Sequence, residues 1–334
     1  MTRIAAVDIG TNTVLLLVAE LGDNGDIRAV HEQATITRLG ESVDRTRALS
    51  PAAIARTNEC LGRYAQIATA LGAERIAVVG TSAMRDAAQG DLVRDHIARV
   101  FGVPARILSG QDEARLTFLG AMSHGGIDRA IGGGGGGECP VAFDVGGGST
   151  EVVRGRRLGG SRAQIEYAES FDVGSVRLTE RHVRSDPPTP GEISEIARNA
   201  AAEFARIPAE ICHVQSEPSA ERLVPIGLAG TMTTLASVAL GLPRFDPAAL
   251  EGATLSVGAL RATINHLASL PLETRRALPQ MVPERADVIV AGGIIALAIL
   301  DRIGASSGDV DAQRVRISDR GVRWGLAVEL LADR

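Results

Sequence analysis

A strand, an acid, a glycine turn rich in hydroxyls and a second strand occur twice in this chain, and no other feature limits its fold as tightly. The first copy reads Ala5-Ala6-Val7-Asp8-Ile9-Gly10-Thr11-Asn12-Thr13 and runs into a second apolar stretch at 14–19. The later copy reads Val141-Ala142-Phe143-Asp144-Val145-Gly146-Gly147-Gly148-Ser149-Thr150 and continues as Glu151-Val152-Val153. Each reads as a β-hairpin with glycine in its turn, and the repeat implies an internal duplication. At 334 residues the chain has room for two ordinary domains.

Between and after the copies, helix and strand signals alternate. Ser50-Pro51 supplies a hydroxyl cap and a first-turn proline, predicting a helix to about 71. Further helices are predicted at 110–122, 190–206, 231–240, 257–270, 283–303 and 321–331, with strands at 75–79, 105–108, 163–169 and 223–226. This pattern predicts an α/β chain of two lobes with a cleft between them. The expected domains are 1–123, with 320–334 packing back on it, and 124–319. The run of glycines at 132–137 reads as a mobile connection.

The second turn carries the sharpest chemistry. Gly146, Gly147 and Gly148 let backbone N–H groups approach a phosphate oxygen, and Ser149 and Thr150 add hydroxyls. Asp144 and Glu151 flank the turn and read as hard oxygen ligands for Mg²⁺ or Mn²⁺. The first turn is the weaker twin: Gly10, Thr11, Asn12 and Thr13 can meet phosphate, and Asp8 can hold a metal-bound water. A third loop, with Gly230 and Thr231 opening a helix, is equally explained by capping or by anion binding. Glu113 lies in the first turn of a predicted helix, where dipole complementation alone would account for it, but a hydrolase also needs such a carboxylate. Arg85 follows a strand and can offset phosphate charge. Arg154, Arg156, Arg157 and Arg162 cluster after the second turn, as a solvated hairpin or as a guide for a polyanion.

Composition removes several alternatives. All 35 basic residues are arginine, so a Walker-type phosphate loop and a Schiff base are both excluded. A net charge of −5 argues against general nucleic-acid binding. The longest apolar run, 289–300, is too short to span a bilayer, and no export signal is read at the N-terminus. Cys60, Cys139 and Cys212 form neither a disulfide framework nor a zinc cluster, which points to the cytoplasm. The six histidines form no metal-binding pattern.

Eight ordered stretches resemble the exopolyphosphatase and guanosine pentaphosphate phosphatase family of the actin/hexokinase/Hsp70-like superfamily. They are AVDIGTNT, GTSAMR, SGQDEAR, DVGGGSTE, VGSVRLTE, GLAGTMTTLA, PERADVIVAGGIIAL and SDRGVRWGL. The resemblance implies a duplicated actin-like fold and a divalent metal. It places Glu113 as catalytic base, Asp144 and Glu151 as metal-associated carboxylates, the turns at Asp8 and Gly146 as phosphate-binding, and Arg85 as the family arginine. It implies exopolyphosphatase activity on inorganic polyphosphate, with three alternatives: a guanosine pentaphosphate phosphatase, a kinase on the same fold, and a sensor that binds polyphosphate or the alarmones pppGpp and ppGpp. Glu113 separates enzyme from sensor, since binding alone needs no carboxylate beside the phosphate loops. Longer relatives carry extra C-terminal domains associated with gripping long chains, so short chains are the expected substrate. A homodimer is left open.

Overall fold

The computed structural model describes residues 2–22, 26–123, 138–159, 162–212, 222–304 and 313–332. The glycine run at 132–137, His124 and His213 lie outside them. Contacts divide the chain into two compact units: Met1–Gly125 with Arg157–Gln164 and Arg320–Arg334, and Gly126–Arg156 with Ile165–Asp319.

The first unit holds a five-stranded sheet of order β3-β2-β1-β4-β5. Its strands are β1 (Arg3–Ile9), β2 (Thr13–Leu21), β3 (Ile27–Ile36), β4 (Arg75–Gly80) and β5 (Ala105–Ile107). β1 runs antiparallel to β2 and parallel to β4. The other sheet, assigned to the second unit apart from residues 157–159 and 162–164, holds β6 (Glu138–Val145), β7 (Thr150–Gly159), β8 (Arg162–Phe171), β9 (Arg222–Leu228), β10 (Thr254–Ser256) and β11 (Arg314–Ser318), in the order β10-β11-β9-β6-β7-β8. β6 runs antiparallel to β7 and parallel to β9, and β9 is parallel to β11. The series β3-β2-β1-β4-β5 is therefore repeated as β8-β7-β6-β9-β11, with β10 added at one edge. The fold is α/β and duplicated, as the repeat predicts, and is of the actin-like class that the family resemblance implies.

Strand periodicity decides which residues reach the core. In β1, Ala5, Val7 and Ile9 enter one apolar cluster with Leu61 and Tyr64 of the helix Pro51–Ala70. Ile4 and Ala6 enter another cluster with Leu116 and Trp324. Asp8 has the parity of Ile4 and Ala6, so it belongs to the face covered by the helices Gly110–Ala121 and Val322–Ala332. These two helices approach closely because both carry glycine at the crossing. A Cβ on Gly120 would stand 2.1 Å from the Gly321 carbonyl oxygen, and one on Gly325 2.0 Å from that of Leu116. In β6, Val141, Phe143 and Val145 join the core of the second unit, which leaves Asp144 on the opposite face.

The Pro51–Ala70 helix begins where the sequence signals it, with the Ser50 side chain accepting from the Ala53 N–H at 3.1 Å. The single helix expected over 283–303 is instead a 3₁₀ turn, Pro283–Arg285, followed by the helix Ile289–Arg302. Strands β3, β10 and β11 and the helices Ser82–Asp86, Gly90–Phe101 and Ser175–His182 are additional to the sequence expectation. Among the described residues, no helix is long and apolar enough to cross a membrane.

Candidate active site

The two glycine turns are built by the same bonds. The Gly10 N–H donates to the Thr13 carbonyl at 3.0 Å, and the Gly146 N–H donates to the Ser149 carbonyl at 3.0 Å. A side chain at either glycine would crowd that carbonyl: a Cβ would lie 3.1 Å from the Thr13 oxygen or 2.9 Å from the Ser149 oxygen.

In the second turn, the helix Ser175–His182 takes up the carbonyls. The Ser175 N–H donates to Gly146 O at 2.9 Å, and the Val176 and Arg177 N–H groups donate to Gly147 O at 2.9 and 3.1 Å. The Ser175 hydroxyl adds a bond to Gly146 O at 3.2 Å. In a trans peptide, the C=O of one residue and the N–H of the next point in opposite directions. Holding the carbonyls of Gly146 and Gly147 against this helix therefore turns the N–H groups of Gly147 and Gly148 away from it. These are the donors an anion can use. Gly174 permits the approach, since a Cβ there would stand 2.3 Å from Gly147 O.

The first turn follows the same logic with a different support. Gly40 N–H donates to Thr11 O at 2.8 Å, and Thr37 and Arg38 N–H groups donate to Asn12 O at 3.1 and 3.0 Å. The N–H groups of Asn12 and Thr13 are turned the other way. Gly40 lies so close that a Cβ would meet Thr11 Cγ2 at 2.3 Å, and Thr11 is buried. The Thr81 N–H donates to Ile9 O at 3.1 Å, which brings the segment carrying Arg85 beside this turn.

Arg85 and Glu113, 28 residues apart in sequence, form an ion pair, Nη1 to Oε2, at 3.3 Å. Arg85 Nη1 also donates to the Leu108 carbonyl at 3.0 Å. The Glu113 side chain is only 7% exposed, against 28% for Arg85. Ser109 caps the helix by accepting from the Asp112 N–H at 3.1 Å, which fixes the turn that presents Glu113. The carboxylate is thus held by a guanidinium on one element and a capped helix on another.

Asp144 and Glu151 are direct partners across β6 and β7. Opposed residues of an antiparallel pair share a face, and like charges there are unfavourable without a compensating group. Ser170 Oγ donates to Glu151 Oε1 at 2.7 Å. Among the described residues, no three His, Cys, Asp or Glu side chains gather as a ready-made cage. Two carboxylates suit Mg²⁺, which keeps waters and takes further oxygens from substrate phosphates. The donor set fits such an ion.

Four expected phosphate donors are otherwise engaged: the N–H groups of Gly10 and Gly146 close their own turns, and two hydroxyls bond inward. Thr150 is fully buried, and its hydroxyl donates to Val173 O at 2.5 Å. It pairs with Val145 and so shares the core face of β6, which removes it from the turn's donor face. The Thr231 hydroxyl donates to Val145 O at 2.8 Å. It docks the start of the helix Ala229–Ala239 beside Gly146 instead of pointing a donor outward. Gly230 itself lies under Arg285, whose Nη1 would stand 1.8 Å from a Cβ there. Ala229 holds a left-handed φ of 56° just before it, a strained backbone of the kind found at binding loops. Arg154 and Arg156 both pair with Glu166, at 2.9 and 3.1 Å, so one carboxylate offsets part of their charge. The side chains of Arg157 and Arg162 lie outside the described set.

Gly40, Gly174 and Arg285 were not singled out from sequence. Gly40 and Gly174 could have been, as glycines in polar stretches that a turn must pack against.

The fold is duplicated, and each copy closes its glycine turn by the same bond. The chain belongs to the Ppx/GppA phosphatase family, whose model matches residues 17–334. Exopolyphosphatase 2 of Mycobacterium tuberculosis is 35% identical over 345 residues, covering 99% of this chain and 99% of that protein. The crystal structure of the Aquifex aeolicus member of the Ppx/GppA family has a TM-score of 0.74 at 26% identity, over 99% of this chain and 98% of that one. An exopolyphosphatase structure from Cytophaga hutchinsonii shares the fold, with a TM-score of 0.83 at 21% identity, over 99% of this chain and 98% of that one.

The reassignment of Thr150 gives a test. Thr150→Val removes the donor to Val173 O without changing side-chain size much. It should lower unfolding free energy by about 1–3 kcal/mol in urea denaturation, because a buried carbonyl loses its partner. The kcat/KM for phosphate release should stay within about 3-fold of wild type, a difference of only about 0.6 kcal/mol. A fall of about 10²-fold in kcat/KM with unchanged stability would return Thr150 to the donor set.

Proposed function

We propose that this chain is an exopolyphosphatase that hydrolyses the terminal phosphoryl group of inorganic polyphosphate and releases orthophosphate. The observation that carries this reading is the second turn, where the held carbonyls direct successive glycine N–H groups outward. The 35% identity to Exopolyphosphatase 2 over 99% of both chains supports it.

In the second unit, the N–H groups of Gly147, Gly148 and Ser149 and the Ser149 hydroxyl bind phosphate oxygens. In the first unit, Thr11, Asn12 and Thr13 serve the same purpose, and Asp8 orients a water. Glu113, held by Arg85 at 3.3 Å, accepts a proton as water attacks phosphorus. The new P–O bond forms in line as the bridging P–O bond breaks, and the shortened chain leaves with the electron pair of that bond. No covalent phosphoenzyme forms. Asp144 and Glu151 would hold Mg²⁺ or Mn²⁺, which supplies charge neutralisation for the phosphoryl oxygens when bound. Arg85 adds positive charge in the first unit.

Polyphosphate is favoured over guanosine pentaphosphate because base stacking has few partners. Tyr64, Phe118, Phe143, Phe171 and Phe204 are fully buried, and Trp324 is buried with Arg320 over its ring. A polyphosphate, by contrast, asks only for donors and cations. A cytoplasmic location belongs to the same reading, since Cys60, Cys139 and Cys212 are free thiols.

Three measurements test this proposal. In side-by-side steady-state assays of released orthophosphate, short linear polyphosphate should give a higher kcat/KM than guanosine pentaphosphate, ATP or long-chain polyphosphate. A higher value for guanosine pentaphosphate would make the chain an alarmone phosphatase instead. Glu113→Gln should lower kcat by about 10²-fold or more with substrate binding retained, as expected for loss of a general base; turnover above about a tenth of wild type would remove Glu113 from that role. A chelator should stop turnover, and Asp144→Asn should raise the concentration of added Mg²⁺ needed for half-maximal rate. Full activity in chelator would contradict the metal assignment.

A further inference from the structure

The carbonyls of the second turn are not all held in the same way. Gly146 O and Gly147 O accept backbone N–H groups from Ser175, Val176 and Arg177, bonds that any non-proline residue can supply. Gly148 O accepts only a side-chain donor in the described network: Arg177 Nε, at 2.8 Å. The Gly148–Ser149 peptide is the last plane of the turn, and its N–H belongs to Ser149.

Glycine rotates freely about its backbone bonds, so the preceding peptide plane can flip at little steric cost. A flip of the Gly148–Ser149 plane would carry the Ser149 N–H from the anion side to the opposite side. The Gly146–Ser149 bond at 3.0 Å does not prevent this, because it uses the Ser149 carbonyl and not its N–H. Something must therefore fix the Gly148 carbonyl, and Arg177 is placed to do so. Its residue is only 7% exposed, although burying a guanidinium carries a desolvation cost. Its Nη2 is also 3.7 Å from Asp172 Oδ1, a tether whose own side chain is 76% exposed. The same residue's N–H is already bonded to Gly147 O at 3.1 Å, so backbone and side chain of Arg177 grip successive carbonyls.

We propose that Arg177 is the positioning residue of the phosphate turn: its Nε fixes the Gly148 carbonyl and so aims the Ser149 N–H at the phosphoryl oxygens. This rests on the exopolyphosphatase reading above, which assigns the turn to phosphate. Donors that meet charge developing in the transition state act on kcat more than on substrate affinity. Arg177 is thereby distinguished from a residue that merely adds positive potential, which any cation at the same place would supply.

The test uses the full chain with Arg177→Lys and Arg177→Ala. Arg177→Lys keeps the charge but has no nitrogen at the Nε position. It should lower kcat on short polyphosphate by about 10²-fold, the loss seen on removing one preorganised donor, with KM changed less than about 3-fold. In Arg177→Ala, millimolar guanidinium chloride should restore part of the rate, whereas sodium chloride at equal ionic strength should not. The second readout needs no turnover: in ¹⁵N–¹H spectra of the ligand-free protein, Arg177→Lys should move the Ser149 amide resonance and leave those of Asn12 and Thr13 in place. Wild-type kcat in Arg177→Lys, or an unmoved Ser149 resonance, would overturn the proposal. Should Arg177→Ala fail to fold, Arg177→Lys decides by both readouts. Should the wild-type protein release no orthophosphate from polyphosphate, the functional reading fails by itself, and the Ser149 resonance still decides whether Arg177 sets the turn.

Discussion

A peptide plane has a donor end and an acceptor end, and fixing one end fixes the other. The structure depends on this constraint at both of its glycine turns. In the second unit, the carbonyls of Gly146, Gly147 and Gly148 are taken up by the start of the helix Ser175–His182 and by Arg177. In the first unit, those of Thr11 and Asn12 are taken up by the stretch 37–40. An array of N–H groups then faces the other way without any basic side chain needing to enter the turn. That arrangement suits a chain with no lysine, because the donors come from the backbone itself.

Duplication supplied two copies of the turn, and the copies have since diverged in what surrounds them. The five-strand order is kept in both sheets, as is the bond that closes each turn at 3.0 Å. The first unit pairs its turn with a guanidinium and a carboxylate, Arg85 and Glu113. The second places two carboxylates, Asp144 and Glu151, directly across a hairpin. On the proposed reading, one copy supplies the proton acceptor and the other the ligands of a hard cation.

The repeat and its strand–turn–strand grammar were legible in the sequence because both rest on local signals: apolar runs, an acid and glycine. Helix starts with strong caps, such as Ser50-Pro51, were also legible. Strand β3 was not, because it lies at the sheet edge and mixes His31, Glu32 and Gln33 among its apolar residues. Strand β11 hides in the same way behind Arg314 and Arg316. Among site residues, the Asp144–Glu151 pair could be read from spacing across a hairpin. The engaged state of Thr150 could have been foreseen from parity, since it follows Ser149 by one and therefore faces the core with Val152. The partnership of Arg177 with Gly148 could not be foreseen, because it joins segments 29 residues apart. The same holds for Arg85 and Glu113, whose contact depends on β4 and β5 being neighbours in the sheet, so that the segments following them lie close.

The central claim is that phosphate is held by backbone N–H groups of the duplicated turns. The most direct measurement is a titration of short linear polyphosphate into ¹⁵N-labelled, deuterated Glu113→Gln protein with Mg²⁺ present, followed by ¹⁵N–¹H spectra. The account predicts that the amide resonances of Gly147, Gly148 and Ser149 move together, that those of Asn12 and Thr13 move at the same ligand concentrations, and that Thr150 moves less. Saturable binding that leaves the Gly147, Gly148 and Ser149 amides in place while shifting others would contradict it.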